Sequence, residues 1–164
     1  MPILNYTTKV NEHKTIGEIQ KALVAKGALS VMTDYTPSGT PAAVTFTINV
    51  NGTPIRYRLP SDVDGVLRAM QRAKGVPYRL QTREQAVRVC WRILKDWIEA
   101  QLAIIEAGQA ELAQVFLPYA LNSEGQTLFE YFRDNPRLLT EGGRKLLPPH
   151  DDPIDAEVLN DTEN

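Results

Sequence analysis

Residues 43–60 constrain the fold more than any other stretch of this chain. Val44, Phe46, Ile48 and Val50 alternate with Thr45, Thr47 and Asn49, the period of two expected of a strand with one covered face. Asn51-Gly52 follows. Both central positions of a two-residue hairpin turn need φ > 0, which Asn and Gly reach at least cost. The return run places Ile55, Tyr57 and Leu59 on one face and Arg56 and Arg58 on the other. A tight turn fixes the register, because a slip of one residue would carry the whole apolar set to solvent. The spacing therefore predicts a hairpin with an apolar inner face and an outer face of Thr, Asn and Arg.

That inner face needs a cover, and two helix signatures supply it. Thr15-Ile-Gly-Glu18 reads as a capping box with Thr15 as N-cap. Ile16, Ile19, Leu23 and Val24 follow at helical spacing, and Gly27 is a stop, so a helix is expected over 16–26. Thr82-Arg-Glu-Gln85 reads as a second capping box opening the longest helix, residues 83–107. Its apolar stripe is Val87, Cys90, Trp91, Leu94, Trp97, Ile98, Ile104 and Ile105, with Trp97 and Leu94 expected in the core. The opposite face carries Arg88, Arg92, Lys95, Asp96, Glu99 and Glu106, with Arg92–Asp96 and Lys95–Glu99 as i,i+4 ion pairs.

The remaining elements are shorter. Leu29–Tyr35 reads as a strand, closed by the breaker-rich turn Thr36–Pro41. Asp62–Ala73 reads as a helix capped by Ser61 and Asp62, with Val63, Val66, Leu67 and Met70 on one side. Gly75-Val-Pro77 breaks it. Gln109–Leu121 is expected to hold another short helix, limited by Pro118. The aromatic run Leu128, Phe129, Tyr131 and Phe132 is expected to dock on the long helix. Pro2–Thr7 is a candidate fourth strand. The predicted fold is α+β, in the order α-β-β-β-α-α: a small antiparallel sheet of three to four strands packed on helices. One domain is expected over 1–146, with a disordered acidic tail over 147–164.

Enzyme signatures are missing. The chain has no GxGxxG, GxxxxGK[ST], HExxH or GxSxG, so neither a cofactor nor an enzymatic activity is expected. His13 and His150 lack ligand-spaced partners, which argues against a metal site. Cys90 is the single cysteine; on the apolar stripe it reads as a buried structural thiol, and it fits a reducing compartment. No apolar run approaches a membrane span, and the first residues do not form a signal peptide. A cytoplasmic location is expected, with no membrane partner.

Charge is divided unevenly. From Ile55 to Lys95, ten Lys/Arg face three acids, a net of +7; from Asp96 to Asn164, fourteen acids face four basic residues, a net of −10. Arg56 and Arg58 lie two apart and share a strand face, with Thr45 and Thr47 beside them as neutral donors. Arg68 and Arg72 stand at i,i+4, Lys74 and Arg79 follow, and Tyr78 offers a stacking ring. Guanidinium forks, hydroxyls and an aromatic ring suit sequence-independent contact with a phosphate backbone. Solvation of these arginines, or pairing with the acidic third, is the competing reading.

Four phrases carry a resemblance: Asn5-Tyr-Thr-Thr-Lys-Val10, Arg58-Leu-Pro60, Gln85–Gln101 and Val115-Phe-Leu-Pro-Tyr119. Over roughly residues 1–132 the chain resembles a family of short proteins encoded by bacteriophages and prophages. That implies a bacterial-host cytoplasm and carries over no catalytic residue. The element order is also similar to the core of phage and Rad52-type single-strand annealing proteins and to that of double-stranded RNA-binding domains. Against the RNA-binding module, Ala69-Met-Gln-Arg-Ala-Lys74 stands where its lysine clamp belongs. Together these readings favour a non-enzymatic accessory protein that binds nucleic acid, single-stranded DNA first. The alternative is an interaction module that binds and inhibits or remodels a host protein. Self-association is open in either case.

Overall fold

The computed structural model describes residues 1–140. The chain runs through α1 (Glu12–Ala25), β1 (Ser30–Tyr35), β2 (Pro41–Val50), β3 (Thr53–Pro60), α2 (Val63–Arg72), α3 (Arg83–Glu106), α4 (Leu112–Phe116), α5 (Leu128–Asp134) and α6 (Arg137–Thr140). Single 3-10 turns sit at Tyr78–Leu80 and Leu117–Tyr119. The expected α+β order is present. Residues Met1–Phe129 form one compact unit, and a second begins at Glu130. The proposed boundary at 146, the acidic tail and His150 lie outside the described residues.

The three strands form an antiparallel sheet in the order β1-β2-β3. Phe46 faces Tyr57 across β2–β3, Val44 faces Leu59 and Ile48 faces Ile55, so the apolar alternation sets the register as expected. Asn51 (φ 51) and Gly52 (φ 87) make the turn, and Asn49 Oδ1 accepts from the Gly52 N–H at 2.7 Å. There is no fourth strand from Pro2–Thr7: residues 4–7 turn instead, with Asn5 in the left-handed region at φ 62. The far edge of β3 is met by the 120–121 segment, where Leu121 N–H donates to the Arg56 carbonyl at 2.8 Å.

An aromatic chain ties sheet to helix. Phe46 stacks on Tyr57 (5.4 Å, 15°), Phe116 meets Phe46 edge-on (5.3 Å), and Trp97 meets Phe116 (5.6 Å) and Tyr119 (5.6 Å) in the same way. Such offset and edge-to-face pairs add about 0.5–1.5 kcal/mol each beyond area burial. Helices α1 and α2 both pack on α3. Trp91 is the largest fully buried side chain, and no acceptor lies within hydrogen-bonding distance of its Nε1 among the described residues. Trp97 and Leu94, expected in the core, are only half-buried; Trp91 and Ile98 take that place. Phe129, expected to dock on the long helix, is exposed, and Tyr131 and Phe132 pack edge-to-face on each other.

Helix ends follow local chemistry with instructive differences. Thr82 caps α3 by accepting from the Gln85 N–H at 3.2 Å. The reciprocal arm is not made, because Gln85 turns its amide to the Tyr6 and Thr8 carbonyls. Helix α1 starts one turn before the expected site: Asn11 is its N-cap, accepting from the His13 N–H at 2.9 Å. Thr15 is fully buried inside the first turn, and Glu18 reaches Arg92 on α3 at 2.6 Å. That cross-helix pair replaces the expected Arg92–Asp96 pair, and Asp96 accepts from Asn5 Nδ2 at 2.7 Å. The Lys95–Glu99 pair forms as expected. At the other end of α1, Gly27 (φ 100) lets Ala28 N–H reach the Leu23 carbonyl at 3.0 Å, closing the helix in a Schellman motif.

Candidate nucleic-acid interface

The open face of the sheet is built by the same register that fills the core. Directly opposed residues share a face, so Ser30–Thr47–Arg56 form one lateral row and Met32–Thr45–Arg58 the next. The structure therefore brings Arg56, Arg58, Thr45 and Thr47 together as read from sequence. It also adds an acid. Asp34 of β1 accepts from Thr45 Oγ1 at 2.9 Å and lies 3.8 Å from Arg58 Nε. Thr45 is buried with its hydroxyl committed, and Thr47 Oγ1 accepts from Ser30 at 3.0 Å. Arg56 is exposed, and no acid lies within ion-pair distance of it among the described residues. Half of the expected hairpin charge is thus already answered, although an exposed pair of this kind contributes only about 0–1 kcal/mol.

The remaining predicted residues occupy α2 and the turn after it. Arg68 lies 4.0 Å from Asp62, the residue that caps α2 by accepting from Gly65 N–H at 2.7 Å. Arg72 folds back on its own helix, its Nε donating to the Arg68 carbonyl at 3.3 Å. Lys74, Tyr78 and Arg79 stand differently. Tyr78 is 88% exposed, the most open aromatic ring of the first unit. Lys74 and Arg79 flank it in sequence, both exposed, and neither has an acid within ion-pair distance among the described residues. The ring follows the break at Gly75-Val-Pro77: Val76 is buried, and Tyr78 starts a single 3-10 turn in which Tyr78 and Arg79 are exposed while Leu80 packs against the core.

Arg79 also lines a cleft of about 320 Å³ that sequence reasoning did not assemble. Lys9, Arg88 and the buried Gln85 share its wall with Thr7 and Thr8. The helical spacing puts Arg88 on the polar face of the long helix, and no motif singles out Lys9. No periodicity links residues so distant in the chain; the link is the Gln85 amide, which donates to the Tyr6 and Thr8 carbonyls at 2.9 and 2.8 Å.

A second concavity, about 360 Å³, is apolar and runs between β3, α2 and α3, with Leu59, Val66, Ile93, Leu94 and Trp97 on its walls. Cys90 lines it at 7% exposure; burial foremost, then the Asp62 carboxylate, pushes its thiol up to about 11. At neutral pH it is a thiol and not a nucleophilic thiolate. No group of three or more His, Cys, Asp or Glu positioned to hold a metal occurs among the described residues. Nor, among them, is any helix long and apolar enough to cross a membrane. No protein-family model, curated protein or solved structure matches this chain. Its function has to be argued from the surface itself.

Proposed function

We propose that this protein is a non-enzymatic nucleic-acid-binding protein that holds single-stranded DNA without sequence preference. On the same reading it works in a bacterial-host cytoplasm, supported by the resemblance to short phage-encoded proteins. One observation carries the proposal: the open Tyr78 ring, bracketed by Lys74 and Arg79, which are unanswered by acid among the described residues. A base stacks on such a ring for about 1–3 kcal/mol whatever its identity, while cations beside it track the backbone. Arg56 adds an exposed cation on the open face of the sheet, with Arg58 recruited only at the expense of its contact with Asp34.

The test is fluorescence anisotropy on labelled oligothymidylate across a salt series. Binding should weaken steeply with salt, because bound cations release condensed counterions. Changing Lys74 and Arg79 together to Ala should reduce the salt slope by about one to two units, and Tyr78→Ala should weaken binding without changing the slope. Absence of binding to single- or double-stranded DNA or RNA at about 50 mM salt, where non-specific contacts register, removes this reading. The interaction-module reading would then take its place.

A further inference from the structure

We infer that the cleft bounded by Lys9, Arg79 and Arg88 is an oxyanion pocket that takes a phosphate monoester, a group found on free nucleotides and at the end of a nucleic-acid strand. The inference rests on the nucleic-acid reading only for the second of these sources. Three cations converge on one concavity, and no acid lies within ion-pair distance of any of them among the described residues. Elsewhere on the same helix the basic residues are answered: Arg83 by Asp64, Arg92 by Glu18, and Lys95 by Glu99. Three uncompensated cations in one concavity repel each other and are stabilised by an anion of matching charge. A phosphate monoester carries about −1.5 to −2 at neutral pH and presents three acceptor oxygens.

The pocket is also built, not merely basic. Gln85 is 6% exposed, and its amide is fixed at both ends. Its Nε2 donates to two backbone carbonyls, and its Oε1 accepts from Arg88 Nη1 at 3.3 Å. This holds the half-buried guanidinium in place while leaving four of its five N–H donors for a ligand. Arg and Lys together give the fork geometry and the point charge that oxyanion sites combine. Thr7 and Thr8 complete the polar wall, the Thr8 hydroxyl accepting from the Val10 N–H at 3.3 Å. A second cleft that Arg88 also lines contains Glu12 and Glu84 alongside Arg83. The cleft with Lys9 and Arg79 has no acid among its lining residues. A volume of about 320 Å³ lies at the small end of ligand cavities, enough for a phosphate and part of its ester group.

The experiment uses the full chain with inorganic phosphate and with two oligothymidylates differing only in a 5′-phosphate. Calorimetric titration should register phosphate binding at concentrations of about 1 mM. Arg88→Gln and Arg79→Gln should each weaken it by about tenfold or more, as loss of a charge-assisted hydrogen bond does. Arg79 is exposed on a 3-10 turn, so its variant keeps the fold even if Arg88→Gln does not; thermal melts verify this. If the strand end is a source, the 5′-phosphorylated strand binds more tightly than its 5′-hydroxyl twin, and Arg88→Gln abolishes that difference. If inorganic phosphate binds and neither strand does, the pocket stands for free phosphate monoesters and the nucleic-acid reading fails. If the strands bind equally and phosphate does not bind, or phosphate binding is indifferent to both substitutions, the pocket is overturned while the nucleic-acid reading survives.

Discussion

The two halves of α3 look alike in sequence and are used differently. Through Trp91, the N-terminal half buries Gln85, Ala86, Val87, Val89, Cys90 and Trp91; beyond it only Ile98 and Leu102 reach the same state. Leu94 and Trp97 continue the apolar stripe, yet they line a groove instead of filling the core. The difference lies in the neighbours. The first half is locked to the chain's opening segment by the two bonds from Gln85. The second half has one bond to that segment, from Asn5 to Asp96, and its Trp97 ring meets Phe116 and Tyr119. Periodicity says which side of a helix is apolar; only the elements packed against it decide how deeply each turn sinks. The locked half is also the half that presents Arg88, consistent with rigid backbone being the better platform for a site.

Trp91 and Trp97 give the sharpest way to break this comparison. Trp91→Ala empties a fully buried site and should cost about 3–5 kcal/mol in urea unfolding. Trp97→Ala removes a half-buried ring with two edge-on partners and should cost roughly half as much. Equal losses at the two positions would show that the halves are packed alike and that the comparison is empty.

The next largest effect is expected at Gln85. Replacing it with Leu keeps the volume and removes the amide, leaving the Tyr6 and Thr8 carbonyls without that donor. A loss of about 2–3 kcal/mol is expected, since buried polar groups left unpaired incur their desolvation cost. Glu99→Ala, which removes the exposed partner of Lys95 from an i,i+4 pair farther along the helix, should cost no more than about 0.5 kcal/mol. A Gln85→Leu protein as stable as the wild type would mean that the opening segment is not anchored through this amide.

These differences also mark what the sequence could convey. The hairpin register was legible because alternation and Asn51-Gly52 are local signals that agree. The start of α3 was legible for the same reason. The start of α1 was not: Asn11 and Thr15 are both good caps, and the choice depends on Thr15 being buried beneath Arg92, a contact across 77 residues. Asp34 was invisible as the partner of Arg58 because nothing in the β1 sequence announces its pairing with β2. The cleft was hidden most deeply. It depends on a side-chain amide binding an irregular segment, and neither period nor motif encodes such a contact. Arg56 and Tyr78 were identifiable as exposed candidates; how much of the surrounding charge was already neutralised was not.

The last comparison turns on pH and concerns Cys90, at the seam between the two halves. Its thiol is pushed up to about 11, first by burial and then by the Asp62 carboxylate, against a lesser opposing hydrogen bond involving Asp62. A folded-state value above the unfolded one means that the unfolded chain releases this proton first as pH rises. The associated stability is therefore intact below the ordinary thiol range near pH 9 and is lost as pH climbs towards 11. By pH 10 the wild type should have lost about 1 kcal/mol more than Cys90→Ala, each measured against its own stability at pH 7. The subtraction matters because Tyr57, whose hydroxyl is likewise pushed up by burial, contributes to both proteins alike. Parallel pH profiles for the two would mean that water reaches the thiol through the groove, and that the open character of the second half extends back to Cys90.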